Sequence, residues 1–254
     1  RALEQAFAGV AEAVGPAVVA IRVYREASSG SGDGSVEVMS PGGYYGLGSG
    51  MVIDPNGLIL TNEHVVHGAA RIGVVFHDGV VRDGRLWGVD PRGDLAVVKV
   101  EGSGLASVVL GDASGLKAGQ WVVAMGNPFG LALDGRASLS VGVVSATGRM
   151  LPELAVRCDR IYADMIQATA DMNPGHSGGP LIDLEGRVVG INTAIFTRTG
   201  RSDGVGFAIP MNGRTRGIVS LLVSGGMIEY GYLGADVRSE EHTAELQSRQ
   251  VISY

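Results

Sequence analysis

The sequence predicts an all-β chain folded as two successive small β-barrels, with a short helix near each end. Three observations carry this expectation. Glycine supplies 41 of the 254 residues, roughly twice ordinary usage. The glycines separate short aliphatic runs such as Val18-Val19-Ala20-Ile21 and Leu95-Ala96-Val97-Val98, which is how many strands joined by tight turns read. The runs fall into two consecutive sets of about six strands, and no strand–helix alternation of the kind that builds a parallel sheet appears.

Composition narrows the classes of function. Lys and Arg number 20 against 26 Asp and Glu, for a net charge of −6 without any basic run, so nucleic acid is excluded as an expected partner. No stretch of about eighteen uninterrupted apolar residues exists to span a membrane. The first residue is Arg1 rather than Met, so a signal peptide or anchor would lie upstream. Cys158 is the only cysteine, which rules out an internal disulfide and a cysteine metal cluster; it reads as a packing residue.

Along the chain, Leu3, Phe7, Val10 and Val14 form one helical stripe that stops at Gly15-Pro16, predicting an amphipathic helix. Ala17 to Tyr24 reads as a strand and the polar, Gly/Ser-rich Ser28 to Gly43 as a loop. Gly46-Leu47-Gly48-Ser49-Gly50 has neither a lysine nor a helix after it, so it reads as a hairpin rather than a phosphate-binding turn. Leu58-Ile59-Leu60 continues as a strand into Thr61-Asn62-Glu63-His64-Val65-Val66, with short strands expected at 72–76 and 80–81. In the second set, strands are expected at 121–125, 138–146, 160–167, 181–183, 188–195 and 204–209, followed by a helix over 211–223 with Ile218, Leu221 and Leu222 as its apolar face. The first barrel is placed at 15–112 and the second at 118–210, within one domain of residues 1–228.

The stretch that suggests chemistry is Asp171-Met172-Asn173-Pro174-Gly175-His176-Ser177-Gly178-Gly179-Pro180. A hydroxyl attacks a carbonyl only when a base takes its proton, and the oxyanion that forms needs aimed N–H donors. Glycine at 175 permits backbone angles that turn its own N–H and that of Ser177 toward one point. Taken alone, the motif reads equally as a glycine-rich hairpin with an incidental serine. Two further residues alter the balance. His64 stands where an apolar strand ends, and Asp94 is a single acid before a nearly continuous apolar strand, an expensive place for a carboxylate unless something donates to it. A serine, an imidazole and a carboxylate are the parts of a Ser-His-Asp triad. Their order, His64, Asp94, Ser177, is the chymotrypsin order; an esterase-type nucleophile elbow requires serine, then acid, then histidine. His67 and His77 sit in polar turns and read as solvated.

Thr-Asn-Glu-His-Val-Val (61–66), Gly-Asp-Leu-Ala-Val-Val-Lys-Val (93–100), Gly-Asn-Pro-Phe-Gly (126–130), Ser-Val-Gly-Val-Val-Ser-Ala-Thr-Gly-Arg (140–149), Asn-Pro-Gly-His-Ser-Gly-Gly-Pro-Leu (173–181) and Gly-Val-Gly-Phe-Ala-Ile-Pro (204–210) resemble, in order, the motifs of the HtrA/Deg serine proteases. The resemblance runs from about Phe7 to Gly234. It implies a chymotrypsin-like double β-barrel, ATP-independent endoproteolysis of unfolded or damaged proteins, no metal or cofactor, a homotrimer built through N-terminal segments such as 1–14, and a bacterial cell-envelope location. It also implies roles at the matched positions: His64 as general base, Asp94 as its orienter, Ser177 as nucleophile, and the N–H groups of Gly175 and Ser177 as the oxyanion hole. Met172, Ile195 and Val205 match positions lining the primary specificity pocket; all three are apolar, which favours aliphatic side chains and leaves a buried Lys or Arg unpaired. Arg149 matches an arginine that relays activation. A chaperone-like relative with a silent site and a serine esterase are the competing functions.

The chain departs from the family pattern in three places. His176 stands where Asn is usual, between the implied oxyanion donors. Glu63 stands where Asn or Ala is usual, and Gln167-Ala168-Thr169-Ala170 replaces a Gln-Thr-Asp-Ala pattern. Glu229 to Gly234 resembles the lead-in to a PDZ domain, which too few residues follow to complete, so 229–237 is expected to be a truncated PDZ start. Arg238 to Ser248 resembles a translated sequencing-library adapter with one residue changed, so 238–254 is expected to be an artefactual or disordered tail in which His242 has no function.

Overall fold

The strand runs that are apolar at every position are buried on both faces. In the computed structural model, which describes residues 1–25, 37–40, 43–127, 136–152, 159–193 and 204–231 (backbone only for 37–40 and 43–45), β1 (Val18–Arg25) and β7 (Leu95–Val100) show why. Alternate side chains point to opposite faces of a strand. Val19, Ile21, Val23, Ala96, Val98 and Val100 fill the interior of a first barrel, while Val18, Leu95 and Val97 point out of it into a second apolar layer.

The first barrel closes from β1, β5 (Arg71–Val75), β6 (Val81–Asp90), β7, β4 (Leu58–Thr61) and β3 (Gly43–Asp54), with β3 returning to β1. Its ladders are antiparallel, and β2 (Glu37–Ser40) pairs on β3. The second closes from β9 (Trp121–Gly126), β10 (Ser138–Arg149), β11 (Met165–Ala168), β14 (Gly206–Pro210), β13 (Arg187–Thr193) and β12 (Pro180–Ile182), with β12 pairing both β9 and β13. Val122, Ala124, Val144, Ile166, Leu181 and Val189 fill it. The seam between the barrels is a single apolar cluster, to which Met51, Leu60 and Val97 contribute from one side and Val123, Met125 and Ile191 from the other. Each fully buried aliphatic side chain there stabilises the fold by about 1.5–3 kcal/mol, so the two barrels are held as one body by the same kind of packing that fills each of them.

Helix α1 (Ala2–Val14) docks on this seam through Val10 and Val14, and Phe7 meets Trp121 edge-on with ring centroids 5.5 Å apart. Leu3, on the expected stripe, is exposed. After the second barrel, Asn212 caps α3 (Gly213–Val223) by accepting the Thr215 N–H, and the helix returns to the first barrel, where Trp87 Nε1 donates to Val223 O at 3.0 Å. Beyond α3, Tyr230 donates its hydroxyl to the buried Asp90 carboxylate at 2.7 Å; burial, and then this bond, push the phenol up to about 12.

Several sequence expectations are corrected. Residues 37–40, expected within a loop, form β2. The glycine-rich 46–50 segment lies inside β3, because β1 pairs with it continuously from Val18↔Met51 to Arg25↔Tyr44. The fourth strand stops at Thr61, and Glu63–Val66 forms a single helical turn, α2. β6 extends far past Val81; most of its residues are exposed or half-buried, so it carries little apolar pattern to read. Val109–Leu110, placed with the first barrel, forms β8, which pairs parallel with β13. Of the expected α3 face, Leu222 is buried beside Thr215 and Val219 and Ile218 packs half-buried on the seam cluster, but Leu221 is exposed. Leu222 sets this rotation by packing over Gly88 of β6, where an added Cβ would lie 3.3 Å from its side chain. Ile195, Cys158, His242, the loop residues 28–36, Pro128-Phe129-Gly130 and the chain from Tyr232 onward, which takes in 232–237 of the expected PDZ start and the whole expected tail, lie outside the described residues.

Leu222→Ala should lower unfolding free energy by about 2–5 kcal/mol, and Leu221→Ala by less than about 0.5 kcal/mol, both read from urea denaturation. Equal losses would contradict the assigned face.

Candidate active site

His64 occupies α2, the turn that follows β4. Thr61 ends that strand by donating its hydroxyl to Ser49 O at 2.7 Å, and Asn62 Nδ2 donates to Asp94 O at 3.0 Å. Asp94, the residue just before β7, sits at φ +55°, a backbone region uncommon for residues other than glycine. That conformation aims its carboxylate back at α2. Oδ1 accepts the His64 backbone N–H at 3.0 Å, and the His64 Nδ1 lies 2.8 Å from Oδ2 and 3.0 Å from Oδ1. Tyr162 donates its hydroxyl to Oδ2 at 3.1 Å, and Arg160 Nε lies 3.6 Å from Oδ1. Burial alone would raise the pKa of Asp94, which has no solvent exposure. The His64 ring, its hydrogen bonds and the Arg160 charge outweigh that and hold the carboxyl below its ordinary value. An ionised carboxylate only accepts hydrogen bonds, so Nδ1 of a neutral His64 carries the proton and Nε2 is the acceptor.

Ser177 lies on the loop between β11 and β12, in two successive tight turns: His176 N donates to Asn173 O and Gly179 N to His176 O, each at 2.9 Å. Gly175 sits at φ +101°, a conformation that a side chain would strain. Ser49 of β3 clamps this loop from the other barrel. Its hydroxyl donates to Gly175 O at 2.6 Å, and its N–H donates to Ser177 O at 2.8 Å. Gly178 completes the junction at φ +84°; an added Cβ would fall 2.2 Å from both Ser49 O and Thr61 Oγ1 and 3.1 Å from Asn62 N. The serine loop therefore abuts the segment that leads directly into His64. Asn62 Nδ2 also donates to Thr193 Oγ1 at 3.4 Å, a second polar tie between the barrels.

His176 is buried, with Nδ1 3.2 Å from Asn173 O, and its Nε2 has no hydrogen-bond partner among the described residues. Burial pushes its pKa below the ordinary value of 6.5, so the ring is neutral near pH 7. Met172 is buried beneath Gly206, where a Cβ would lie 2.8 Å from its sulfur, and the neighbouring Val205 is exposed. Arg149 Nε donates to Gln167 Oε1 at 2.9 Å on an exposed face. Among the described residues no group of three or more His, Cys, Asp or Glu side chains is placed to hold a metal ion.

The sequence reading did not find Arg160 and Tyr162, which it assigned to a strand. Glu63 was visible only as a departure from a motif. Its partner Arg160, 3.1 Å away through Nη2, is 97 residues further on, beyond the reach of any local pattern.

Two six-stranded closed barrels joined along such a seam define a chymotrypsin-like fold. The family model for the trypsin-like peptidase domain matches residues 48–191. A probable periplasmic serine endoprotease, DegP-like, of Chlamydia pneumoniae is 41% identical over 191 residues, covering 75% of this chain and 37% of that protein. A protein of the same name from Pseudomonas fulva (strain 12-X) is 44% identical over 192 residues, covering 76% of this chain and 38% of its own length. Among solved structures, the HtrA-type protease AlgW with tripeptide is 34% identical at TM-score 0.78, over 96% of this chain and 71% of that one. Deg5 is 33% identical at TM-score 0.66, over 89% of this chain and 98% of that one. The chain belongs to the HtrA/Deg family of trypsin-like serine proteases. It spans less than two-fifths of the length of the two curated relatives.

Because the folded protein disfavours a charged His176, the unfolded chain takes up a proton that the native state refuses as pH drops below 6.5. The native state therefore loses stability over that interval. Wild type should lose more of its urea midpoint between neutral pH and about pH 5 than His176→Asn does; parallel losses would show that the ring is not the titrating group.

Proposed function

We propose that this chain is the protease part of an ATP-independent serine endopeptidase that cleaves unfolded or damaged proteins. The observation that carries the reading is the hydrogen bond between the buried Asp94 and the half-buried His64 on one barrel, set beside a serine loop of the other barrel that Ser49 clamps on both sides of His176. In this reading His64 Nε2 takes the Ser177 hydroxyl proton as Oγ attacks the substrate carbonyl, while Asp94 fixes the tautomer and stabilises the charged ring. The N–H groups of Gly175 and Ser177 receive the oxyanion. His64 then gives its proton to the departing amine, and water, activated by the same imidazole, releases the acyl group from Ser177.

The buried Met172 and the apolar Val205 support a specificity pocket for aliphatic side chains; Ile195 belongs to the proposed lining on the resemblance alone. The names of the DegP-like relatives support a periplasmic or envelope location. The homotrimer rests on the resemblance, with the exposed Leu3 of α1 available for such a contact. A chaperone-like role with a silent site is disfavoured, because keeping a buried acid ionised against a half-buried imidazole is costly and binding alone does not require it. A serine esterase is disfavoured by the order of the three residues and by the double barrel.

Unfolded casein should be cleaved by the wild type and left intact by Ser177→Ala, and Asp94→Asn should lower kcat roughly 10⁴-fold. Binding without cleavage would favour the chaperone reading, and turnover of esters alone the esterase reading. In peptide series, Val, Leu or Ala before the scissile bond should outperform Lys and Arg in kcat/KM by at least about 100-fold; a preference for Lys would contradict the apolar pocket.

A further inference from the structure

Behind the Asp94–His64 pair lies a second set of charges that the proposed reaction does not use. Glu63, immediately before His64, is buried, yet both of its carboxylate oxygens are engaged. Oε2 accepts from Arg160 Nη2 at 3.1 Å, and Oε1 lies 2.6 Å from His67 Nδ1. Arg160 belongs to the segment that precedes β11 of the second barrel. It spreads its guanidinium over two acids of the first barrel, with Nη2 on Glu63 and Nε 3.6 Å from Asp94 Oδ1. The backbone supports this reach, since Ile161 N donates to Arg92 O at 2.6 Å, laying residues 160–162 along the turn that presents Asp94.

We propose that Glu63 and Arg160 are positioning residues, a charge-balanced bridge between the barrels that orients the Asp94–His64 pair and sets the field in which the imidazole takes up its proton. This inference rests on the protease reading above. A guanidinium beside Asp94 weakens the attraction of that carboxylate for a proton on His64, and Glu63, which faces the same guanidinium, restores part of it. Each member of the bridge is nearly enclosed, so removing Arg160 leaves Glu63 facing His67 and removing Glu63 leaves Arg160 facing Asp94, each in largely desolvated surroundings where a lost partner is costly. The remaining charged and titratable neighbours do not replace either. Arg25 of β1 touches α2 through backbone oxygens, with Nη2 on His64 O and Nε on His67 O. Tyr162 stays protonated, burial and the Asp94 charge pushing its phenol far up. His67 lies on the outer side of Glu63 with its side chain largely in solvent.

The sign of each effect follows from charge alone. Arg160→Gln removes a positive neighbour, so His64 holds its proton to higher pH and the acid limb of the kcat/KM profile moves up by about one unit. Glu63→Gln removes a negative neighbour and moves the same limb down. Arg160→Lys keeps the charge and should leave the limb near its wild-type position while lowering kcat, because a point charge cannot span both acids. A purely structural role predicts instead that all variants lose stability and activity with an unmoved limb. Limbs that stay put, or that move in the same direction in Arg160→Gln and Glu63→Gln, overturn the proposal. If either single variant fails to fold, the double variant E63Q/R160Q decides. Its limb should rise, since Arg160 Nε lies 3.6 Å from Asp94 Oδ1 whereas the Glu63 carboxylate is engaged by Arg160 and His67, and an unmoved limb overturns the proposal. Ser177→Ala run beside these separates the two levels: its inactivity with unshifted limbs removes only this inference, whereas retained cleavage removes the protease reading itself.

Discussion

A carboxylate stripped of solvent stays ionised only if the protein supplies what water did. At Asp94 three residues supply it. The backbone and ring of His64 donate from α2, Tyr162 donates from the segment before β11, and Arg160 adds a charge from that same segment. Asp94 itself adopts a left-handed backbone conformation to meet them. Much of the surrounding architecture can be understood as holding these donors still. Thr61 and Asn62 fix the end of β4 so that α2 starts in the right place, and the apolar seam fixes the second barrel so that residues 160–162 arrive against Asp94.

The seam also explains why the serine loop needs its glycines. Ser49 hydrogen-bonds to the carbonyls of Gly175 and Ser177, and the space left at Gly178 is too small for a methyl group. A loop pulled this close to a neighbouring strand gains rigidity through direct backbone contacts. The same closeness leaves His176 inside, with one ring nitrogen lacking any partner among the described residues. A site built by packing two barrels together therefore places its rigid junction and a buried imidazole in the same loop.

What the sequence revealed and what it hid divide along physical lines. Strands buried on both faces, such as β1 and β7, announce themselves as unbroken apolar runs. β6 does not, because most of its side chains meet solvent and its pairing is set by neighbours rather than by its own pattern. The helical turn at Glu63 is too short to show a period, and β2 is only four residues long. The rotation of α3 depends on the fit of Leu222 over Gly88, which helical periodicity places only to within one position. At the site, His64, Asp94 and Ser177 stood out because a histidine, an acid and a serine each occupied an unusual apolar or glycine-rich context. Arg160 did not, and Glu63 did so only as a departure from a motif, since a polar pair joined only by the fold has no local signature.

The central claim is that the serine is activated only when the folded seam sets its loop against the Asp94–His64 edge. A fluorophosphonate probe tests it directly, with the labelled peptide mapped by mass spectrometry in the native and the urea-unfolded protein. The account predicts a single adduct on Ser177 that forms in the native protein and is absent after unfolding. An adduct at another residue, no adduct on the native protein, or labelling of Ser177 that survives unfolding would contradict it.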